Sequence, residues 1–164
     1  MRRLAFLAPL GALLAVAATP AAADPASVTV TLGPDLKEKS AELGEGDVRR
    51  QADRLAEVVR RALAGAGELD GARIDLVLTD LQPNRPTMEQ MTRRPGLDGH
   101  RSLSIGGAAI EGSITTADGR VLPVRYDRYS NNLSDVRGYA TWQDAERAYE
   151  RLAVRLADGR YVSR

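Results

Sequence analysis

Apolar and polar residues alternate in two stretches of the chain, as expected for strands with one buried face. The first stretch, SVTVTL at 27–32, places two valines and a leucine on one side. The second, ARIDLVLTDL at 72–81, places an isoleucine and two leucines on one side. Gly33 and Pro34 end the first stretch, and the polar segment after them is predicted to be a linker.

Two further segments carry apolar residues at steps of three and four, which is the spacing of one face of an α-helix. The apolar positions are Val48, Ala52, Leu55, Val59 and Ala62 in the first helix, and Trp142, Ala145, Tyr149, Leu152 and Leu156 in the second. The predicted caps are Asp47 and Thr141 at the starts, and Gly65 or Gly67 and Gly159 at the ends. Asp144 is a weaker substitute for the glutamate of a capping box.

The segment SIGGAAIEGSITTADGRVLPVRY at 104–126 carries four glycines in its first sixteen positions. A three-residue turn at 117–119, with Gly119 left-handed, makes one face of a β-hairpin wholly apolar. The predicted cross-strand pairs are Ile114 with Leu122, Gly112 with Val124, Ile110 with Tyr126, and Glu111 with Arg125. We therefore expect two antiparallel strands here.

Glycine-rich segments also bind phosphates, but a dinucleotide site needs a strand, a G-x-G-x-x-G turn and then a helix. Here the glycines fall inside a strand and no helix follows. Gly106, Ala108 and Gly112 fall on the inward face, where small residues would let a helix approach closely. No other motif for a cofactor is found, so we expect no cofactor.

These elements predict an α+β fold: a two-layer sandwich with a four-stranded sheet and two helices on one face, in the order β-α-β-β-β-α.

The first residues of the chain predict where the protein is located. Arg2 and Arg3 precede an apolar run at 4–18 and three alanines at 21–23, which is the pattern of a secretory signal peptide. The apolar run has 15 residues, fewer than the roughly 20 that a membrane anchor needs.

We therefore expect cleavage after Ala23, leaving a single α+β domain at 24–164 that is periplasmic or secreted. The chain has no cysteine, so no lipid-accepting cysteine follows the cleavage site and no stable membrane anchor is expected. The remaining 141 residues carry 21 basic and 22 acidic side chains with interleaved signs. This balance argues against a nucleic-acid partner.

The connection at 82–101 is long for a small domain, which suggests either function or disorder. Arg85, Arg93, Arg94 and Arg101 lie in it and could bind an anionic ligand or an acidic partner, because guanidinium groups donate to carboxylates and phosphates. The alternative is a solvated loop with one turn of helix around residues 88–91. The same connection contains His100, the only histidine, which has no serine in a nucleophile-elbow motif to work with.

Two other sets of polar residues are weaker candidates. Asp75, Asp80 and Glu111 are carboxylates on or beside strands, which we interpret as solvated partners of arginines rather than as a glycosidase pair. The segment at 125–139 combines Tyr129, Asn131 and Asn132, a composition typical of recognition surfaces. It lacks the spacing of a calcium-binding loop, so we interpret it as a strand end that runs into a polar loop, and it is the second candidate for a partner contact.

The hairpin, its "ADG" turn and the helix start W-x-D-A-x-R-A at 142–148 resemble exported proteobacterial proteins of unknown function. More distantly, the layout resembles α/β modules of envelope lipoproteins and the N-terminal domain of the Tol-system translocation protein. The nearer resemblance covers most of residues 70–159 and implies fold and compartment, but no chemistry. The absence of cysteine departs from the lipoproteins.

Together these observations predict a non-catalytic protein that contacts other envelope components through its loops. A small module that binds an anionic ligand is the alternative, and a hydrolase is a distant third. The sequence does not indicate an oligomeric state.

Overall fold

The computed structural model describes residues 27–64, 67, 69–136 and 139–162. The predicted leader at 1–23 and Gly65 lie outside these residues. The elements in chain order are β1 (Ser27–Leu32), α1 (Pro34–Leu43), α2 (Glu45–Leu63), β2 (Arg73–Gln82), α3 (Met88–Arg93), β3 (Gly107–Thr115), β4 (Val121–Tyr129), a 3-10 turn (Leu133–Val136) and α4 (Gln143–Ala157). The six predicted elements occur in the predicted order, and α3 occurs where one turn of helix was expected around residues 88–91, whereas α1 and the 3-10 turn are additional.

The four strands form one mixed sheet in the order β1-β2-β3-β4. β1 runs parallel to β2, whereas β3 is antiparallel to both β2 and β4. Parallel neighbours need a crossover connection, which α1 and α2 provide. α2 and α4 pack against each other, α2 on β1 and α4 on β3 and β4. The predicted α+β sandwich with a helical layer on a four-stranded sheet is confirmed.

The core lies between the sheet and the α2–α4 layer. The inward alternation predicted for β2 is confirmed, because Ile74, Leu76 and Leu78 are at most 1 % exposed. The largest fully buried side chains in this layer include Leu55, Ile74, Leu76, Leu78, Ile110, Ile114, Tyr149, Leu152 and Leu156. Each such aliphatic side chain contributes roughly 1.5 to 3 kcal/mol through burial, so this layer supplies most of the fold's stabilisation.

The predicted hairpin register is confirmed. Ile114 lies opposite Leu122, and Glu111 lies opposite Arg125, whose Nη2 is 3.1 Å from the glutamate Oε1. The Thr116 N–H donates to the Arg120 carbonyl at 2.9 Å, which leaves a three-residue turn. Gly119 has a φ of 84°, the left-handed conformation that the prediction required.

The predicted reason for Gly106 and Gly112 is wrong. A Cβ at Gly112 would lie 2.2 Å from the Asp75 carbonyl oxygen of the neighbouring strand, and one at Gly106 would lie 2.5 Å from the Asn84 side chain. These glycines therefore make room for the backbone of β2 and for a buried amide, not for a helix. Ala108 is fully buried, as its inward position predicts.

The predicted polar linker after β1 is also wrong, because this segment forms helix α1. Pro34 occupies its first turn, where the missing N–H costs nothing. Only Leu36 and Leu43 of the ten residues are buried, so the helix has a narrow apolar contact with the rest of the fold.

Two predicted N-caps are wrong. α2 begins two residues before Asp47, after Gly44, and Asp47 pairs with Arg50 inside the first turn. α4 begins after Trp142 with no capping side chain, and the Thr141 carbonyl accepts a hydrogen bond from the loop at the end of β2 instead. The end of α4 is confirmed, since Gly159 follows it with a φ of 70°.

Candidate functional site

The long connections of the fold leave from one end of the sheet. Gln82, at the end of β2, lies beside Gly107 at the start of β3, which in turn lies beside Tyr129 at the end of β4. Segments 83–106 and 130–142 therefore start from the same end, where α1 also follows β1. We call this the loop end, and the opposite end, closed by the β3–β4 turn, the hairpin end.

A buried pair of polar side chains fixes the loop end. The Asn84 amide is fully buried and donates through Nδ2 to the Asp144 carboxylate at 2.7 Å, while its Oδ1 accepts from the Asp144 N–H at 2.9 Å. The Ser130 hydroxyl donates to the same carboxylate. Because Asp144 is only 2 % exposed, these hydrogen bonds replace the water that its charge would otherwise require.

The Asn84 backbone joins three segments at the same place. Its N–H donates to the Thr141 carbonyl at 2.7 Å, and its carbonyl accepts from the Ser104 N–H at 3.0 Å. Gly106 packs against its side chain, and the Gly106 carbonyl accepts from the Ser130 N–H at 3.0 Å. Hydrogen bonds therefore hold both ends of segment 83–106 close to the N-terminus of α4.

The Arg85 guanidinium holds the middle of the loop end together. Nε donates to the Tyr139 carbonyl, and Nη1 donates to the carbonyls of Gly99, at 3.1 Å, and of His100. Arg147 holds the other segment, because it donates to the Tyr139 hydroxyl and lies 4.3 Å over that ring. Arg85 therefore uses Nε and Nη1 to hold backbone carbonyls within the fold.

The short helix α3 has a capping box. The Gln90 N–H donates to the Thr87 hydroxyl at 3.2 Å, and the Thr87 N–H donates to the Gln90 side-chain oxygen at 3.1 Å. Thr87 is buried, whereas Met88 beside it is 73 % exposed. This capping box satisfies two backbone N–H groups at the start of a helix of only six residues.

Met88 borders a depression of about 350 Å³, which we call the methionine depression. Its lining residues are Asp47, Pro86, Thr87, Met88, Met91, Gly99, Thr141 and Trp142. A second depression of about 290 Å³ lies where Pro86, Gln90 and Arg94 meet Leu97 and Leu103. Segment 83–106 thus contributes to two concave surfaces.

The four arginines singled out in the sequence are not brought to a common partner. Arg85 donates to backbone carbonyls, Arg93 pairs with Glu89 within α3, and Arg94 pairs with Glu42 of α1 at 2.6 Å. Arg101 is exposed.

His100 is exposed next to Arg101 in a turn, where the N–H groups of both residues donate to the Asp98 carboxylate at 2.7 and 2.8 Å. These two hydrogen bonds lower the pKa of Asp98. Both residues therefore contribute their backbones to the turn.

The tyrosine-rich segment places one of its candidates in a polar cluster. The Tyr129 hydroxyl donates to Asp80 at 2.8 Å, and Lys39 of α1 and Gln82 donate to the same carboxylate at 3.2 and 3.0 Å. Burial alone would raise the pKa of Asp80, but these three hydrogen bonds outweigh it and lower the pKa. Burial and the contact with Asp80 raise the pKa of Tyr129.

The two asparagines of the same segment are exposed. Asn132 accepts from the Ser134 N–H at 2.9 Å, an ordinary turn contact, and Asn131 precedes it in the turn. Within the part of the chain that the structure describes, neither asparagine forms a hydrogen bond with an arginine of segment 83–106.

The sequence did not single out Asn84, Met88 and Trp142 as site residues, and it assigned Asp144 to a cap. The T-x-x-Q pattern of Thr87 and Gln90 is that of a capping box and indicates the start of α3. The exposure of Met88 and the pairing of Asn84 with Asp144 depend on contacts far along the chain. Periodicity does not carry that information.

No protein-family model matches the chain, and no curated protein matches it significantly. Across residues 27–64, 67, 69–136 and 139–162, none of the helices combines the length and apolar character needed to cross a bilayer. The same residues contain no group of three or more side chains placed to hold a metal ion.

Proposed function

We propose that this is a non-catalytic envelope protein that binds a protein partner at the loop end, through the methionine depression. The predicted leader supports a periplasmic or secreted location. The observation that carries the proposal is an exposed apolar side chain on a rigid support. Met88 is 73 % exposed, although the helix that bears it is capped and its segment is anchored through buried Asn84.

The composition of the depression suits an apolar side chain of a partner. Methionine is flexible and polarisable, which lets Met88 and Met91 adapt to different shapes. Trp142 adds a large partly buried ring, and tryptophan is enriched among residues that dominate binding energy. A volume of about 350 Å³ accommodates one or two large side chains.

The anchoring of the loop lowers the entropic cost of such binding. A loop that had to become ordered on binding would lose roughly 0.5 to 1.5 kcal/mol for each immobilised side chain. Here the capping box and the Arg85 hydrogen bonds already fix the backbone. The alternative of a small anionic ligand has less support, because Arg93 and Arg94 pair with glutamates of the chain itself.

The test is affinity capture from envelope extract with the mature chain, comparing Met88→Glu with Val121→Glu. Val121 is 66 % exposed on β4 at the hairpin end, so it is a matched control for adding a charge to an exposed apolar site. We expect the parent and Val121→Glu to retain one stoichiometric partner, which Met88→Glu loses at an unchanged melting temperature.

Equal capture by both variants would place the contact elsewhere on the molecule. Capture of no protein by the parent would contradict the proposal. A bound anion in native mass spectra of the purified parent would then favour the ligand-binding alternative.

A further inference from the structure

The two edge strands of the sheet, β1 and β4, differ in how they are protected from pairing with other chains. At the β4 edge, the Arg125 N–H donates to the Tyr161 carbonyl at 3.1 Å, and Val162 forms a parallel bridge with Arg125. Pro123, on the same strand, has no N–H to offer. The chain therefore covers part of this edge with its own C-terminal segment.

The β1 edge lacks these protections within the described residues. β1 pairs with β2 along its whole length of six residues, and no described strand pairs with its other side. Its sequence SVTVTL contains no charge, proline or glycine. Natural sheets use such residues, or bulges, to keep edges from pairing with other chains.

The inward side chains of β1 are also incompletely covered. Val28, Val30 and Leu32 are partly buried and pack against the core. Their partners on β2, which are Ile74, Leu76 and Leu78, are at most 1 % exposed. The apolar layer thus continues to the β1 edge and is partly exposed there.

We infer that a second copy of this chain pairs with β1 in the antiparallel direction, around a two-fold axis perpendicular to the sheet. The four-stranded sheets of two copies would then form one continuous sheet of eight strands. Both helical layers would lie on the same side of that sheet. Such isologous pairing is the commonest symmetry of soluble oligomers.

The pattern of β1 is complementary to itself. The two-fold axis makes one residue of β1 lie directly opposite its own copy, either Val30 opposite Val30 or Thr29 opposite Thr29. Directly opposed residues point to the same face of the sheet. In either register, the apolar residues of one copy meet those of the other, and no like charges are opposed because the strand is uncharged.

The neighbouring helix is compatible with a second copy as well. α2 packs on β1, so two α2 helices would approach each other across the axis. Some charges of α2 are paired within the helix, by ion pairs of Arg50 with Asp47 and of Arg54 and Arg61 with Glu57. The loop end lies at the end of the strands and stays free, so this inference is independent of the proposed partner site.

The first test is the molar mass of the mature chain, measured by size-exclusion chromatography with light scattering over a concentration series. We expect a dimer for the parent and for Val121→Lys, which places a charge on the strand at the other edge. Thr29→Lys/Thr31→Lys should be a folded monomer, because both threonines are exposed and the lysines of two copies would repel each other. We expect its dissociation constant to rise at least tenfold.

The second test uses the absence of cysteine from the chain, which makes a single introduced thiol unambiguous. Thr29→Cys should cross-link to itself if Thr29 opposes Thr29. If Val30 opposes Val30, a disulfide should form only when Thr29→Cys is mixed with Thr31→Cys.

Three results would overturn the inference: a parent that stays monomeric at the highest concentration, a dimer unaffected by the two lysines, or a monomer whose β1 edge binds an extended segment of a different protein.

Discussion

The two ends of the sheet are closed in different ways. At the hairpin end, the Thr116 N–H donates to the Arg120 carbonyl at 2.9 Å and the Gly119 N–H donates to the Thr116 carbonyl at 2.8 Å, so the contacts lie within five residues. At the loop end, Asn84 and Asp144 are sixty residues apart in sequence, and Glu42 and Arg94 are 52 apart. One end is built by local turn chemistry and the other by long-range polar contacts.

This difference predicts where the fold is most sensitive to the loss of one polar group. Asn84→Ala should lower the free energy of unfolding by about 3 kcal/mol, because it leaves a buried carboxylate with fewer hydrogen bonds. Urea unfolding measures this change. The matched control is Asn132→Ala, which removes an exposed asparagine that also accepts a backbone hydrogen bond and should cost less than about 1 kcal/mol.

Equal losses for these two variants would contradict the role given to the buried pair. A loss of about 3 kcal/mol for Asn84→Ala alone would confirm that the loop end depends on contacts between distant segments.

The arginines of segment 83–106 provide the second comparison. Arg85→Gln should lower the free energy of unfolding by about 2 kcal/mol, because the carbonyls of Tyr139, Gly99 and His100 lose their donors. Arg93→Gln/Arg94→Gln should leave the melting temperature nearly unchanged, since both are more than half exposed and exposed ion pairs contribute little. Thermal melts of the two variants give the comparison.

A double variant that unfolds would show that Arg93 and Arg94 are structural. If the double variant is folded but loses a captured partner, these two arginines belong to the partner contact predicted from the sequence.

At the hairpin end, Gly119→Val should destabilise the fold by roughly 1 to 2 kcal/mol. No other group lies within 4 Å of a Cβ added at Gly119, so the cost comes from the left-handed backbone and not from crowding. Ser113→Ala, away from the turn, is the control and should have little effect. A thermal melt in which both variants match the parent would show that the turn tolerates another conformation.

The same division explains how much could be predicted from the sequence. The register of the hairpin and the conformation of Gly119 follow from alternation and turn geometry, which are local. The α2 and α4 stripes are local too, and their positions are confirmed. The linker after β1 was predicted wrongly because only Leu36 and Leu43 of α1 are buried, seven residues apart, which gives no apolar stripe.

The loop end could not be predicted for a different reason. Asp144 follows Thr141 at the expected spacing of a weak capping box, but a buried amide from another segment competes for its carboxylate. Nothing in residues 141–148 indicates that Asn84 lies nearby. Likewise, the exposure of Met88 depends on where the anchored loop places α3. The candidate site therefore emerged only from the tertiary structure.

The smallest expected effect concerns the outer cluster of the loop end, where Asp80 joins α1, β2 and β4. The lowered pKa of Asp80 means that its contribution to stability is fully present above about pH 3.9, the ordinary value for aspartate, and is lost as the pH falls through the folded-state pKa. Tyr129→Phe removes one hydrogen bond to the carboxylate, so the pKa of Asp80 should rise.

The stability lost in Tyr129→Phe should be less than about 1 kcal/mol at pH 7, and this loss should be smaller at pH 3, which lies closer to the folded-state pKa of Asp80. A carboxyl-carbon NMR titration of Asp80 and urea unfolding at the two pH values measure these changes. Tyr126→Phe is the control on the same strand, because Tyr126 lies on the buried face and does not contact Asp80. If the pKa of Asp80 is the same in Tyr129→Phe as in the parent, Lys39 and Gln82 alone stabilise the carboxylate. The hydrogen bond from Tyr129 of β4 would then contribute nothing to the stability of this cluster.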